Sequence, residues 1–179
     1  GGVVTKKETA DIRLDENGEF IRDPETDIVK VAVVERHQGT GNVACGFLKG
    51  YGIREGAVAL SVAHDSHNII VVGVSDEEME FAVNSLIAQE GGIVLVKEGK
   101  VIEGMPMPIA GLMSDQSGEW VDQKLTDIHE KAYSELGISG EVEPVMTLCF
   151  MSLAVIPEVK LTDMGLFDVT TFSFISTEA

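Results

Sequence analysis

Apolar residues in this chain follow two different periods, and the switches between them mark out its elements. The run Ile28-Val29-Lys30-Val31-Ala32-Val33-Val34-Glu35-Arg36 is compact and β-branched, and it predicts a buried strand. Gly39-Thr40-Gly41-Asn42 breaks it, Val43–Tyr51 predicts a second strand with glycine interruptions, and Gly50, Gly52 and Gly56 punctuate a loop. Ala57–Ala63 and Ile69–Val74 are two further apolar runs. Between them sits a short polar island, His64-Asp65-Ser66-His67-Asn68, which the pattern places at or near a strand end.

The period then changes. Ser75-Asp76-Glu77-Glu78 has the form of a capping box, in which the serine accepts from helix N–H groups and Glu78 reaches back. Met79, Ala82, Val83, Leu86 and Ile87 follow at helical spacing, and Gly91-Gly92 ends the helix. Ile93–Lys97 and Lys100–Gly104 pair around Glu98-Gly99 as a hairpin, and Met105-Pro106-Met107-Pro108 is an extended loop. A second amphipathic helix runs from about Ser117 to Leu136 on a stripe of Val121, Leu125, Ile128, Ala132 and Leu136, stopped by Gly137. Val145–Ile156 is apolar and fits a strand or a buried helix equally, and Phe172–Ile175 reads as a final strand. Residues 1–27 are polar, with turns at Asp15-Glu16-Asn17-Gly18 and Arg22-Asp23-Pro24-Glu25 and a short strand at Glu19–Ile21; they form a linker or edge hairpin ahead of a domain over 28–179. The fold class is α/β of the α+β type: a mixed, largely antiparallel sheet of six to eight strands with two main helices.

Composition narrows the function. At 179 residues and 44% hydrophobic content the chain suits one domain with a real core. No apolar run approaches the roughly 20 residues that span a bilayer, and no signal peptide is recognisable. The expected location is cytoplasmic. The opening Gly1-Gly2-Val3-Val4 lacks an initiating methionine, so a fragment, a processed product or a cloning scar is expected. Cys45 and Cys149 lie in apolar surroundings and read as buried thiols, with no C-x-x-C pattern. A net charge of −17, from 30 acids against 13 bases, argues against nucleic acid or an anionic membrane as partner.

Candidate chemistry concentrates in the polar island. Of the four histidines, His129 follows Ile128 on the second helix and reads as a surface residue. His37 precedes Gln38-Gly39-Thr40-Gly41, a Gly-rich turn without the Lys-Ser/Thr of a phosphate loop. His64 and His67 bracket Asp65 and Ser66; a turn could bring the two imidazoles together, and His-x-x-His with an aspartate offers ligands suited to zinc, manganese or iron. Alternatively Asp65 orients an imidazole that shuttles protons while Ser66 or Asn68 holds a substrate. The competing reading is a polar turn whose groups satisfy one another. Ser114 and Asp115 form a weaker candidate, since either, or Ser117, could simply cap the second helix.

Several ordered blocks carry a family resemblance: Val33-Val34-Glu35-Arg36-His37, Gly-x-x-Lys-Gly-x-Gly over Gly46–Gly52, Ser61–Gly73 with Ala63-His64-Asp65-Ser66-His67-Asn68 inside it, Pro108–Ser114, Val155–Asp163 and Gly165–Asp168. Over about residues 27–175 they resemble the carboxy-terminal domain of bacterial and archaeal adenine deaminases, of the amidohydrolase superfamily. The resemblance implies an enzyme that hydrolyses adenine to hypoxanthine and ammonia in purine salvage or catabolism, with Mn2+ or Fe2+ held mainly in a (β/α)8 barrel. Such a barrel needs about 250 residues, which this chain does not supply, so its partners would be that barrel domain and adenine, with a homo-oligomer as the expected assembly. It implies that His64, Asp65 and His67 complete the barrel site, that Ser66, Asn68, Ser114 and Asp115 contact substrate, and that His64 and His67 are the possible metal ligands here. A non-catalytic structural or oligomerisation module, or a stand-alone purine-binding domain, is the alternative.

Overall fold

A computed structural model of the protein describes residues 2–178. Its main body is a six-stranded sheet in the order β4-β3-β6-β5-β7-β8, built from β3 (Ile28–Val34), β4 (Val43–Lys49), β5 (Ala57–Leu60), β6 (Ile69–Gly73), β7 (Gly92–Lys97) and β8 (Lys100–Pro106). Every neighbouring pair is antiparallel. The sheet is therefore three hairpins laid edge to edge, β3–β4, β5–β6 and β7–β8, with helix α1 (Asp76–Ala88) carrying the chain from β6 across β5 to β7. No (β/α)8 barrel is formed by the described residues.

The alternation along β5 shows how two layers share one sheet. Ala57 and Ala59 face α1, packing with Val71, Val94 and Val96 against Met79, Ala82 and Leu86. Val58 and Leu60 face the other way, with Val72, Ile70 and Leu95, against Ile128 and Ala132 of α2 (Gly118–Ser134), Leu136 just past its end, and Val145 and Leu148 of α3 (Pro144–Cys149). Small residues on one face let α1 approach closely; bulky ones fill the deeper layer under α2 and α3. Because β5 and β6 are buried on both faces, their sequences read as continuous apolar runs. Each fully buried Leu or Ile here contributes about 1.5–3 kcal/mol relative to exposure. Gly56, at φ +67, turns the chain into β5 where a Cβ would stand 1.9 Å from the Val96 carbonyl oxygen, so only glycine fits.

Helix termini depart from the expected pattern in instructive ways. Ser75 caps α1 by accepting from the Glu78 N–H at 3.3 Å, but Glu78 does not reach back; its Oε1 accepts from the Gly99 N–H at 3.1 Å and ties the helix to the β7–β8 turn. At the other end α1 stops at Ala88, before Gly91-Gly92. The Gly91 N–H donates to the Leu86 carbonyl and the Glu90 N–H to that of Ile87, a Schellman arrangement whose left-handed residue is Glu90, at φ 65. Ser117 caps α2 by accepting from the Trp120 N–H.

One open reading is settled, a further sheet is added and one expectation is corrected. The ambiguous Val145–Ile156 contains α3, started by Pro144 in the first turn and capped by Glu143, and turns follow it. A separate three-stranded antiparallel sheet, β9 (Val159–Thr162), β10 (Gly165–Asp168) and β11 (Ser173–Ile175), was not legible beyond its last strand. A buried lysine hid it: Lys160 is 1% exposed and donates to the Val3 carbonyl at 2.6 Å. Cys45 is exposed, not buried, because it lies on edge strand β4, on the side of the sheet that α1 leaves uncovered, whereas Cys149 is buried as expected; both thiols are free. In the amino-terminal segment, β1 (Arg13–Leu14) pairs with β2 (Phe20–Ile21), and the Phe20 ring packs 4.9 Å from that of Phe47.

Glu103 on β8 anchors α2 to the sheet edge. Its side chain, 12% exposed, sits 2.7 Å from Lys124 Nζ and 2.9 Å from Lys131 Nζ. Burial pushes this carboxyl up, but the two ammonium groups and the Gly104 N–H outweigh it and hold the group at about 2. Its folded-state value is thus depressed, so its stabilisation is present above the ordinary carboxylate range and is lost as pH falls from about 4.5 toward 2. Glu103→Gln should lower stability at pH 7 by about 1–2 kcal/mol. In urea melts from pH 7 to 3 the variant should lose less stability than the wild-type chain, and parallel pH curves would contradict the assignment.

Candidate functional site

The antiparallel register of β3 and β6 pairs Val34 with Ile69. Continuing each strand one step past that pair sets Glu35-Arg36-His37 beside His64–Asn68, the turn between β5 and β6. Two segments far apart in sequence thus share one rim of the sheet. The turn is closed by the His67 N–H donating to the Ala63 carbonyl at 2.7 Å, and is tied to α3 by the His64 N–H donating to the Cys149 carbonyl at 2.9 Å.

The turn does bring its two histidines together. The His64 and His67 ring centroids are 5.3 Å apart, edge to face, and the His64 ring lies 4.8 Å from that of Phe150. His67 sits at φ 54, a left-handed backbone that costs a non-glycine residue roughly 1–2 kcal/mol. Burial first, then the neighbouring His64 and the Arg36 charge, push its imidazole below the ordinary value. Its Nδ1 is buried without a hydrogen-bond partner. Asp65 and Ser66 are exposed. Asn68 is 3% exposed and its Oδ1 accepts from the Arg36 N–H at 3.2 Å, so its amide serves the turn and not an open surface.

His37 joins this group from the other strand. Its Nε2 lies 2.7 Å from the Ser66 carbonyl oxygen. A carbonyl only accepts, so Nε2 carries the hydrogen and the neutral ring keeps an acceptor at Nδ1. The Gly-rich turn after His37 is not a phosphate cradle. Glu35 already takes its donors, accepting from the N–H groups of His37, Gln38 and Thr40 and from the Thr40 hydroxyl. Those bonds, the Thr40 N–H foremost, hold the Glu35 carboxyl at about 2 against a smaller opposing effect of burial.

Arg36 is the link that sequence reasoning missed. Its Nε donates to the His67 carbonyl at 2.5 Å and its Nη2 to the Ala110 carbonyl at 2.9 Å. Ala110 also has a left-handed backbone, at φ 60. On the far side of that loop, Ser61 Oγ donates to the Gly111 carbonyl at 2.5 Å and accepts from the Gly92 N–H at 2.8 Å. The loop thus hangs between the sheet and the His67 turn, with Ile109 and Met113 exposed on it. Ser114 is half-buried and Asp115 exposed; Ser114 Oγ accepts from the Gln116 N–H, Asp115 Oδ1 from the Gln116 side chain, and the helix cap is Ser117. Among the described residues no hydrogen bond joins Ser114 or Asp115 to the His64–Asn68 turn. The signal available in the sequence was Glu35-Arg36-His37 itself, a charged triplet closing a buried strand. His129 is a half-buried helix residue, paired with Glu143 and stacked on Tyr133.

No group of three or more His, Cys, Asp or Glu residues is placed to share a metal ion among the described residues. Catalytic metal sites usually have three protein ligands, so His64 and His67 do not by themselves make one. No helix among the described residues is long and apolar enough to cross a membrane.

The rim defines a class: a small α+β domain that presents a histidine-rich turn on a rigid antiparallel sheet and leaves part of that turn open. Residues 2–173 match the family described as the adenine deaminase C-terminal domain. The chain is 69% identical over 179 residues to adenine deaminase 2 of Desulfotalea psychrophila, covering all of this chain and 31% of that protein. It is 48% identical over 158 residues to the adenine deaminase of Bacillus subtilis, covering 88% of this chain and 27% of that protein. With the adenine deaminase of Methanococcoides burtonii identity is 45% over 174 residues, covering 97% and 30%. The chain belongs to the adenine deaminase C-terminal domain family, and it spans about a third of the length of these relatives.

Ser61→Ala should cost about 2 kcal/mol, since it strands a buried carbonyl and a buried N–H. Equilibrium unfolding measures this, and a loss under about 0.5 kcal/mol would mean that Ser61 does not hold the loop. In the same chain, the His67 imidazole should titrate below the ordinary value of about 6.5 when followed by NMR; a higher midpoint would contradict its surroundings.

Proposed function

We propose that this chain is the carboxy-terminal domain of an adenine deaminase, and that its His64–Asn68 turn faces an active site completed by a barrel in the rest of the enzyme. Residues 28–179 are the domain proper under this reading, and 1–27 lead into it, carrying the β1–β2 hairpin and a stretch bonded at Thr5 to Glu158. The observation that carries the proposal is the state of the turn: two converged imidazoles, one with an orphaned buried nitrogen, beside exposed Asp65, Ser66, Ile109 and Met113. Apolar side chains exposed next to a polar site fit a surface that another part of the protein covers.

The reaction replaces the purine amino group by an oxygen from water, giving hypoxanthine and ammonia, in purine salvage or catabolism. A proton must leave the attacking water and reach the departing nitrogen. His67, held below its ordinary value, is neutral at pH 7 and can accept a proton. His64 stands against it, and Asp65 is free to orient an imidazole or the incoming base. Ser66 is open to substrate; Ser114 and Asp115 stand on the neighbouring segment, where they would line the same mouth. Manganese or iron would belong to the whole enzyme; among the described residues no cluster fits it alone, so the ion is assigned to the barrel. Two free thiols support a cytoplasmic setting. Assembly as a homo-oligomer remains part of the reading.

In the complete enzyme, His67→Ala and His64→Ala should each lower kcat by roughly 100-fold or more, the size of a lost general acid or base. Near-normal kinetics in both variants would sink the assignment. The chain on its own should release no ammonia from adenine. A purine that raised the melting temperature of this chain alone would favour a stand-alone binding domain instead.

A further inference from the structure

We infer that Arg36 is the positioning residue for the His64–Asn68 turn, holding it in register with the Ile109–Met113 loop. The inference rests on the role proposed for that turn and names the side chain that sets its place.

The guanidinium bridges two carbonyls, one from each loop. Its Nε donates to His67 and its Nη2 to Ala110, and both residues are non-glycine positions in the left-handed region. Neither conformation is favourable by itself, so each needs a partner that rewards it. Arg36 supplies a partner to both at once. Its main chain adds a third tie, the N–H to Asn68 Oδ1.

The other end of the bridge is closely packed. Gly111, at φ +73, lies flat under the guanidinium, where a Cβ would stand 3.0 Å from Nη1. Ser61 holds its carbonyl, and Gly91 packs so closely that its own Cβ would meet the Gly111 Cα at 2.6 Å. The Ile109–Met113 loop is therefore fixed to β7 and to the end of β5, and Arg36 transmits that position to His67. Among the described residues no other side chain bonds to both loops. A planar fork suits two carbonyls set apart; a lysine ammonium is a single point that reaches one of them well.

Arg36 touches no reacting atom in this arrangement. Its loss should displace the imidazoles without removing them, and misplacement of about 1 Å can cost roughly 100-fold in rate. In the complete enzyme, Arg36→Ala should lower kcat roughly 10- to 100-fold with KM changed less than about threefold, and Arg36→Lys should fall between it and wild type. Added guanidinium chloride, at concentrations that leave the wild type untouched, should restore part of the Arg36→Ala rate by filling the vacated space; equimolar ammonium chloride should not. A loss of rate that tracks a fall in melting temperature, with no rescue by guanidinium, would overturn the inference and leave Arg36 a stability residue. If Arg36→Ala does not fold, Arg36→Lys carries the test: lowered kcat at unchanged melting temperature supports it, and wild-type kcat overturns it. Wild-type kinetics in a folded Arg36→Ala enzyme beside a crippled His67→Ala enzyme would reject this inference alone. Wild-type kinetics in both would reject the role of the turn as well.

Discussion

The antiparallel register between β3 and β6 is the constraint on which the rest of the site depends. Side chains on a strand alternate faces, so a slip of one residue would send the whole apolar set of β3 to the wrong layer. Val29, Val31 and Val33 are committed to the α2–α3 layer, and Ala32 to the α1 layer, which leaves one register open. That register decides what happens past the last pair. The chain leaving β3 and the chain entering β6 must run side by side, and Glu35-Arg36-His37 meets His64–Asn68 as a consequence. The hydrophobic core thus places the polar chemistry without touching it.

At that rim several hydrogen-bonding groups are taken up by the backbone, and those left over are informative. Glu35 absorbs the donors of its own Gly-rich turn, which removes a possible anion site and stiffens the chain leaving β3. Asn68 and Arg36 spend their groups on backbone. Left without a hydrogen bond among the described residues are the Asp65 carboxylate, the Ser66 hydroxyl, the His64 ring, the acceptor face of His37 and the buried Nδ1 of His67. A buried polar atom without a partner costs about 1–3 kcal/mol, a cost easier to sustain if the rest of the protein, as proposed, brings a further partner.

Much of the sheet was readable in advance, because β-branched runs, a serine cap and two amphipathic stripes each carry a local period. The six sheet strands and both long helices fall where those periods put them, within a few residues. The failures have local causes. Lys160 breaks the apolar pattern of β9 because its ammonium is buried against a carbonyl at the far end of the chain, a contact no window can see. Pro144 and Glu143 set a helix start inside a run whose apolar content suits a strand equally. The polar island was visible, and so was its position at a strand end. Arg36 was not, since its role depends on two backbone carbonyls contributed by segments 31 and 74 residues away.

A division of labour follows from these contacts. The rigid elements supply little chemistry: β5, β6 and α1 are apolar and closely packed, and they are tolerant of neither volume change nor register shift. The loops supply the chemistry, and they are strained, at His67 and at Ala110. Strain of this kind persists only where surrounding bonds over-determine the backbone, and here Arg36 on one side and Ser61 on the other do so. If the turn faces a barrel as proposed, a turn fixed in this way would meet it already shaped, with little left to order on docking. That argues for a domain that delivers a finished half of a site, and against one whose turn folds only when the other half is present.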